Sequence, residues 1–109
     1  MTSPGILVFN WVEVTSPVHE HAKMLAFRES EDIATVYLGN AAFHVNLAEV
    51  IRDEVGSATL LAAGDVDRSG TVTSWKSSGF AFETPLEVRD AIAHLIREHA
   101  KEIEDFWVR

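Results

Sequence analysis

Apolar residues fall along the chain in short segments that predict strands first and a long helix last. Residues 6–14 are apolar, and mostly β-branched or aromatic, apart from Asn10 and Glu13, which predicts a strand that is central in a sheet or covered on both faces. Thr15-Ser16-Pro17 should end this strand, because proline cannot donate a hydrogen bond to a neighbouring strand. A second strand is predicted over residues 22–28.

Glycine and asparagine mark the next change of element. The apolar runs 33–38 and 41–45 flank Gly39-Asn40, a dipeptide typical of two-residue hairpin turns. Asn46 is then a suitable N-cap with Glu49 three residues later, and apolar residues recur at helical spacing until Gly56. The sequence therefore predicts a β-hairpin followed by a short helix.

Two more strands are predicted over residues 58–66 and 71–76. They bracket Asp67-Arg68-Ser69-Gly70, in which Gly70 suits the left-handed position of a turn with a bulge. A further short strand is predicted over residues 80–83. Thr84, Pro85 and Glu87 then have the spacing of a capped helix start.

The C-terminal segment has the 3.6-residue period of one amphipathic helix. Its apolar face consists of Val88, Ile92, Leu95, Ile96, Ile103 and Phe106. Strands and helices do not alternate regularly, which argues against a wholly parallel sheet. The expected fold is one α+β domain over residues 1–109, a mainly antiparallel sheet of about five to seven strands with two helices, the long C-terminal helix covering the sheet.

Composition narrows the classes of function. The formal charge is −8 with basic residues scattered, which argues against direct nucleic acid binding because that depends on clustered lysine and arginine. There is no cysteine, so thiolate catalysis and cysteine-ligated metals are excluded. No apolar run approaches the roughly 20 residues of a membrane span, and the start of the chain lacks a secretory signal pattern. We expect a cytoplasmic protein without membrane contact and without a cofactor.

One loop resembles a calcium-binding motif. Asp65, Asp67 and Ser69 take the first, third and fifth positions of an EF-hand or dockerin loop over residues 65–73, with Gly70 at the sixth. The twelfth position is Lys76, a cation where the motif needs a bidentate carboxylate. Ordinary turn chemistry explains the same residues, so a bulged hairpin is the expected structure.

Histidines offer a second metal hypothesis. His19, His21 and His44 could ligate zinc if the fold brought them together, although no metalloprotease-type spacing supports it. His99 is different, because it falls on the apolar face of the C-terminal helix. We expect it to be partly buried and paired with Glu102 or a backbone carbonyl, with a pH-sensing interface as the alternative.

No nucleophile elbow, phosphate loop or dinucleotide motif occurs, and the sequence indicates no catalytic residue. The favoured hypothesis is a non-catalytic inhibitor, immunity, antitoxin or phage-accessory protein that binds another protein with a basic surface. A homodimer is also compatible with the sequence. The alternative is a small enzyme or ligand-binding protein with a histidine or metal pocket. The candidate partner-binding residues are Glu102, Glu104, Asp105 and Trp107 in the C-terminal helix and Glu29, Glu31 and Asp32 in a polar turn.

Overall fold

Five strands and three helices are present in the computed structural model, which describes residues 5–14, 21–76 and 85–107. The strands are β1 (Ile6–Val12), β2 (His21–Arg28), β3 (Ile33–Gly39), β4 (Thr59–Asp67) and β5 (Val72–Trp75), and the helices are α1 (His44–Val55), α2 (Leu86–Glu98) and α3 (Ala100–Trp107). The predicted α+β class is confirmed. The number of helices is three where the sequence predicted two.

The strands form one mixed sheet in the order β1-β3-β2-β4-β5. β1 runs parallel to β3, and every other neighbouring pair is antiparallel. The prediction of a mainly antiparallel sheet is therefore confirmed, with β1 as the exception.

Helices pack on both faces of this sheet. On the α1 face, Leu25, Tyr37 and Ala63 pack with Leu47 and Ile51 of α1. The opposite face, which we call the α2/α3 face, holds the larger apolar cluster. Its buried members include Met24, Val36, Leu38, Ile92, Ile96, Ile103 and Trp107. Because neighbouring residues of a strand point to opposite faces, β2, β3 and β4 contribute to both cores and are apolar over much of their length.

The prediction that the first strand is central or covered on both faces is wrong. β1 lies at the edge of the sheet, and its residues alternate between exposed and half-buried up to Val12. Leu7, Phe9 and Trp11 pack toward the α2/α3 face, whereas Ile6 and Val8 remain exposed. The apolar sequence of β1 therefore reflects two different faces. One face is half-buried against the helices, and the other is largely apolar but exposed.

The predicted hairpin at Gly39-Asn40 is also wrong. β3 ends at Gly39 and α1 begins at His44, so residues 41–45 do not form a strand. A primed hairpin turn needs positive φ, and neither Gly39 nor Asn40 has it. A Cβ atom on Gly39 would lie 2.9 Å from Cδ1 of Leu47, so glycine there permits the close packing of α1.

The N-cap predicted at Asn46 is three residues late, because the observed N-cap of α1 is Phe43. Asn46 lies within α1, and its Oδ1 accepts a hydrogen bond from the backbone N–H of Phe43 at 3.1 Å. The side chain of Asn46, inside the helix, therefore accepts from a backbone N–H at the helix start. The sequence predicted the reverse, with Asn46 as the capping residue that precedes the helix.

The single long C-terminal helix is interrupted at His99. α2 ends at Glu98, His99 has φ −102° and ψ 16°, and α3 begins at Ala100. Both helices still bury residues of the predicted apolar face. None of the helices in the described ranges is long and apolar enough to cross a membrane.

The hairpin of β4 and β5 is confirmed. Gly70 has φ +82°, as the turn prediction requires, and the register shifts between Asp65 and Val66. The strand predicted over residues 80–83 and Thr84 lie outside the described residues. Pro85, which the predicted capped start puts at the first helical position, is instead the N-cap of α2, and the helix begins at Leu86.

Candidate functional site

The acidic side of α3 is the first candidate site. Glu102, Glu104 and Asp105 are all exposed, while Ile103 and Trp107 on the other side of the helix are buried. No ion pair joins any of the three carboxylates to another described residue. The helix thus presents three negative charges without a neutralising partner in the described part of the chain.

Aromatic contacts hold α3 against the sheet. Phe106 stacks on Trp11 of β1, with ring centroids 4.6 Å apart and an interplanar angle of 4°. Trp107 meets the same Trp11 ring edge-on at 5.8 Å, and the guanidinium of Arg68 lies 5.9 Å from the Trp107 ring centroid. Such contacts contribute beyond simple apolar burial, so the acidic side chains project from a well-anchored helix.

Trp107 does not offer the exposed ring that an interface anchor requires. Only 7% of the residue is accessible, and it belongs to the core on the α2/α3 face. Its exposed edge lines a shallow depression with Arg68, Ser69 and Glu104. Trp107 therefore supports the acidic surface from below.

The break at His99 changes the electrostatic position of Glu102. In one continuous C-terminal helix Glu102 would lie in the last turns, whereas it lies in the first turn of α3. A negative charge there is favoured by the helix dipole, but Glu104 and Asp105 lie near the end where the dipole opposes them. There is no basic residue in the last turn of α3.

The polar turn between β2 and β3 is the second acidic candidate. Glu29, Glu31 and Asp32 are exposed, and Glu29 Oε1 accepts a hydrogen bond from Thr35 Oγ1 at 2.9 Å. This turn comes just before β3 and lies beside the start of β1, which runs parallel to β3. The backbone N–H of Ile6 donates to Asp32 O at 2.8 Å. α3 instead contacts Trp11 near the other end of β1. The two acidic groups are therefore at opposite ends of the sheet and do not form one surface.

The calcium-like loop uses its own carboxylate to hold the turn. Asp67 Oδ1 accepts hydrogen bonds from Ser69 N at 2.9 Å, Ser69 Oγ at 2.6 Å and Thr71 N at 3.0 Å. Burial alone would raise the pKa of Asp67, but these hydrogen bonds outweigh it and lower the pKa. The carboxylate is thus oriented into the loop backbone.

Asp65 belongs to a different group of side chains on the α1 face. Its Oδ1 lies 2.9 Å from Lys23 Nζ, and its Oδ2 accepts a hydrogen bond from Ser74 Oγ at 2.8 Å. His44 Nε2 lies 3.9 Å from the same Oδ1 and donates to the Gly64 carbonyl at 2.8 Å. We call Lys23, His44, Asp65 and Ser74 the polar cluster.

Burial shifts the acid–base behaviour of the polar cluster. It lowers the pKa of His44, although the Gly64 carbonyl and Asp65 act in the opposite direction. Burial would raise the pKa of Asp65, but hydrogen bonds from Lys23 and Ser74 together with the lysine charge lower it overall. The arrangement favours the neutral form of His44 beside the ionised form of Asp65.

Sequence reasoning identified His44 and Asp65 in the polar cluster but missed Lys23 and Ser74. The missing information was the strand register, which places Lys23 and Ser74 directly opposite Asp65 from either side. A lysine flanked by Ala22 and Met24 within a predicted strand was the available signal, since such a residue commonly has a paired charge.

The remaining histidine candidates are divided. His21 pairs with Asp67 across β2 and β4, and the two residues line a shallow depression with Arg68 and Ser69. His19 lies outside the described residues. Within the described ranges, no three histidine or acidic residues are grouped so that they could hold a metal ion.

His99 has the backbone partner that the sequence predicted. Its Nδ1 lies 3.0 Å from the carbonyl oxygen of Leu95, and its ring stacks on Phe9 with centroids 4.3 Å apart. Glu102 is not its hydrogen-bond partner. These contacts give His99 a packing role between the helices and β1.

Comparison of the chain with protein-family models, curated proteins and solved structures found no match. The function is therefore argued from the geometry of the chain itself.

Proposed function

We propose that this chain is a non-catalytic binding protein that recognises a basic surface of another protein through α3. The proposed class is an inhibitor, immunity, antitoxin or phage-accessory protein. The observation that carries the proposal is the exposure of Glu102, Glu104 and Asp105 on a helix whose opposite side is packed in the core.

The fixed position of α3 favours binding. A surface already ordered before association loses less conformational entropy when the partner arrives, and the contacts of Phe106 and Trp107 with Trp11 provide that order. The three carboxylates form no ion pair within the described chain, so pairing with a basic partner need not break one. Negative charges around a protein–protein interface chiefly increase the rate at which the two proteins associate.

The histidine-pocket alternative has less support. In the polar cluster both Asp65 oxygens have hydrogen-bond donors, and His44 Nε2 is bonded to a backbone carbonyl. Ser74 donates to Asp65 rather than to His44, so it lacks the adjacent base that activates a serine nucleophile. The cluster has the contacts of a structural network.

The test is affinity capture from the native host followed by kinetics with the purified partner. The wild-type chain is immobilised, and proteins that it retains but a blank matrix does not are identified by mass spectrometry. The Glu104→Lys/Asp105→Lys variant is prepared for comparison with the wild type. The association rate of the purified partner is then measured over a range of salt concentrations. We expect the variant to associate about tenfold or more slowly at low salt, with a weaker salt dependence.

A matched variant separates position from net charge. Glu31→Lys/Asp32→Lys makes the same charge change on exposed residues at the other end of the sheet, and it should associate at nearly the wild-type rate. Equal association rates for the α3 variant and the wild type would refute binding through α3. Loss of rate only in the Glu31/Asp32 variant would transfer the site to that turn.

A further inference from the structure

The outer edge of β1 has backbone groups that no described strand pairs with. β1 is the first strand in the sheet order, with β3 as its neighbour. Ile6 N–H points toward β3, since it donates to Asp32 O at 2.8 Å. Backbone groups alternate in direction along a strand, so those of Leu7, Phe9 and Trp11 point away from β3 to the open edge.

The sequence of β1 itself carries none of the residues that commonly protect an edge strand from pairing. Proteins commonly blunt such edges with charges, proline or a very short strand. β1 is seven residues long and contains neither a charge nor proline, although the chain as a whole carries −8. The opposite edge differs, because β5 has four residues and is followed directly by Lys76.

We infer that β1 pairs antiparallel with β1 of a second copy, making a homodimer with one continuous sheet. A two-fold axis through the Phe9–Phe9 pair sets Leu7 of each copy opposite Trp11 of the other. This register pairs all three outward-facing residues of each strand, and every such pair exchanges two backbone hydrogen bonds. Other antiparallel registers leave at least one of these residues unpaired within β1.

The side chains fit the same register. On the α1 face, Ile6 lies opposite Val12 and Val8 opposite Asn10 of the other copy. Ile6 is 54% exposed and Val8 44% exposed in one chain, so pairing removes apolar surface from water.

A second copy is the occupant that this strand suits. When two copies of β1 pair in this antiparallel register, Ile6 lies opposite Val12 and Leu7 lies opposite Trp11. Apolar side chains therefore meet apolar side chains at these positions. Two molecules of charge −8 repel one another over most of their surfaces, but a charge-free strand brings no like charges into direct opposition.

Sedimentation equilibrium of the full chain tests the inference. We expect a concentration-dependent mass that approaches twice the 12.1 kDa of one chain. Val8→Lys should raise the dimer dissociation constant about tenfold or more, because lysine is an edge-protecting residue and its ammonium would lie at the interface. Val50→Lys is the matched control, a half-exposed valine on α1 at 50% accessibility, and should leave dimerisation unchanged. Circular dichroism confirms that both variants are folded.

Charge complementation tests the register. Val8→Lys and Asn10→Glu should each dimerise poorly alone, whereas a mixture should form heterodimers, because residue 8 of one copy lies opposite residue 10 of the other. A wild-type chain that stays monomeric up to the millimolar range would overturn the inference. So would a dimer that folded Val8→Lys does not weaken, or a failure of the mixture to recover affinity.

Discussion

Lys23 Nζ lies 2.9 Å from Asp65 Oδ1, at a point where β2 and β4 pair these two residues directly. Each side chain is less than one-fifth exposed, so the pair is screened less by water than a surface ion pair. Ser74 satisfies the second carboxylate oxygen. The Lys23–Asp65 pair joins β2 and β4 on the α1 face of the sheet, beside the start of α1.

Removing the lysine should therefore cost stability. Lys23→Met leaves Asp65 partly buried without its cation, and we expect the free energy of unfolding to fall by about 1–3 kcal/mol. Urea unfolding at neutral pH measures this. Lys101→Met, an exposed lysine change on α3, should have an effect within about 0.5 kcal/mol. Equal stability losses in the two variants would show that the Lys23–Asp65 contact contributes little.

The pH dependence of stability should reflect His44. Its pKa is lowered from the ordinary 6.5 by burial, so below pH 6.5 the unfolded chain binds more protons here than the folded protein. The contribution of neutral His44 is then present above 6.5 and lost as the pH falls toward its lowered folded pKa. His44→Gln keeps a donor for the Gly64 carbonyl and removes the titration.

Urea unfolding between about pH 7.5 and 5.5 measures this dependence. The wild type should lose more stability over that range than His44→Gln does. His94→Gln is the control, because His94 is an exposed histidine beside Glu98. This variant still contains His44 and should show the same His44-dependent loss of stability as the wild type. Identical pH profiles for wild type and His44→Gln would contradict the prediction.

Local sequence signals predicted much of the fold. Five of the predicted strands correspond to β1, β2, β3, β4 and β5, and the Gly70 turn forms as expected. The errors arose where tertiary contacts decide the outcome. A Cβ atom on Gly39 would lie 2.9 Å from Cδ1 of Leu47 and 3.0 Å from the backbone oxygen of Val12, a packing constraint that no local turn rule contains. The edge position of β1 depends on strand order, which its apolar run does not determine.

The site was harder to predict because it depends on register. His44 and Asp65 were both singled out as metal candidates, yet the structure places Lys23 and Ser74 on the same carboxylate. Trp107 was a candidate anchor on the condition that its ring is exposed, and the structure buries it in contact with Trp11. Exposure of Glu102, Glu104 and Asp105 followed directly from helical periodicity.

Gly70 should be intolerant of substitution. Its φ of +82° disfavours any residue with a Cβ atom, and that atom would lie 3.0 Å from Cβ of Ala100 at the start of α3. We expect Gly70→Ala to destabilise the protein by about 1–2 kcal/mol. Gly5→Ala is the control, since no atom of the described residues lies within 4 Å of a Cβ atom there. Similar melting temperatures for the two variants would refute this account of the hairpin.

Anchoring of α3 by its aromatic residues predicts a large effect at Trp107. Trp107→Ala removes a core side chain that contacts Trp11, and we expect a loss of about 3 kcal/mol or more in unfolding free energy. Lys101→Ala on the exposed side of α3 is the control. Chemical denaturation should separate the variants clearly. A small loss for Trp107→Ala would mean that α3 is held weakly, which would also weaken the case for a preordered binding surface.

The loop over residues 65–73 should be stabilised by its own hydrogen bonds rather than by calcium. Asp67 Oδ1 accepts three of them from Ser69 and Thr71, and Asp65 is occupied by Lys23. Calcium would have to displace these donors without the bidentate carboxylate that its loops normally supply at the twelfth position, where this chain has Lys76. Adding about 1 mM calcium should therefore leave the melting temperature unchanged. Asp67→Ala should cost about 1–2 kcal/mol with or without calcium, whereas Asp67→Asn, which keeps an acceptor oxygen, should cost less. A rise in melting temperature with calcium that Asp67→Ala abolishes would show that the loop binds the ion after all.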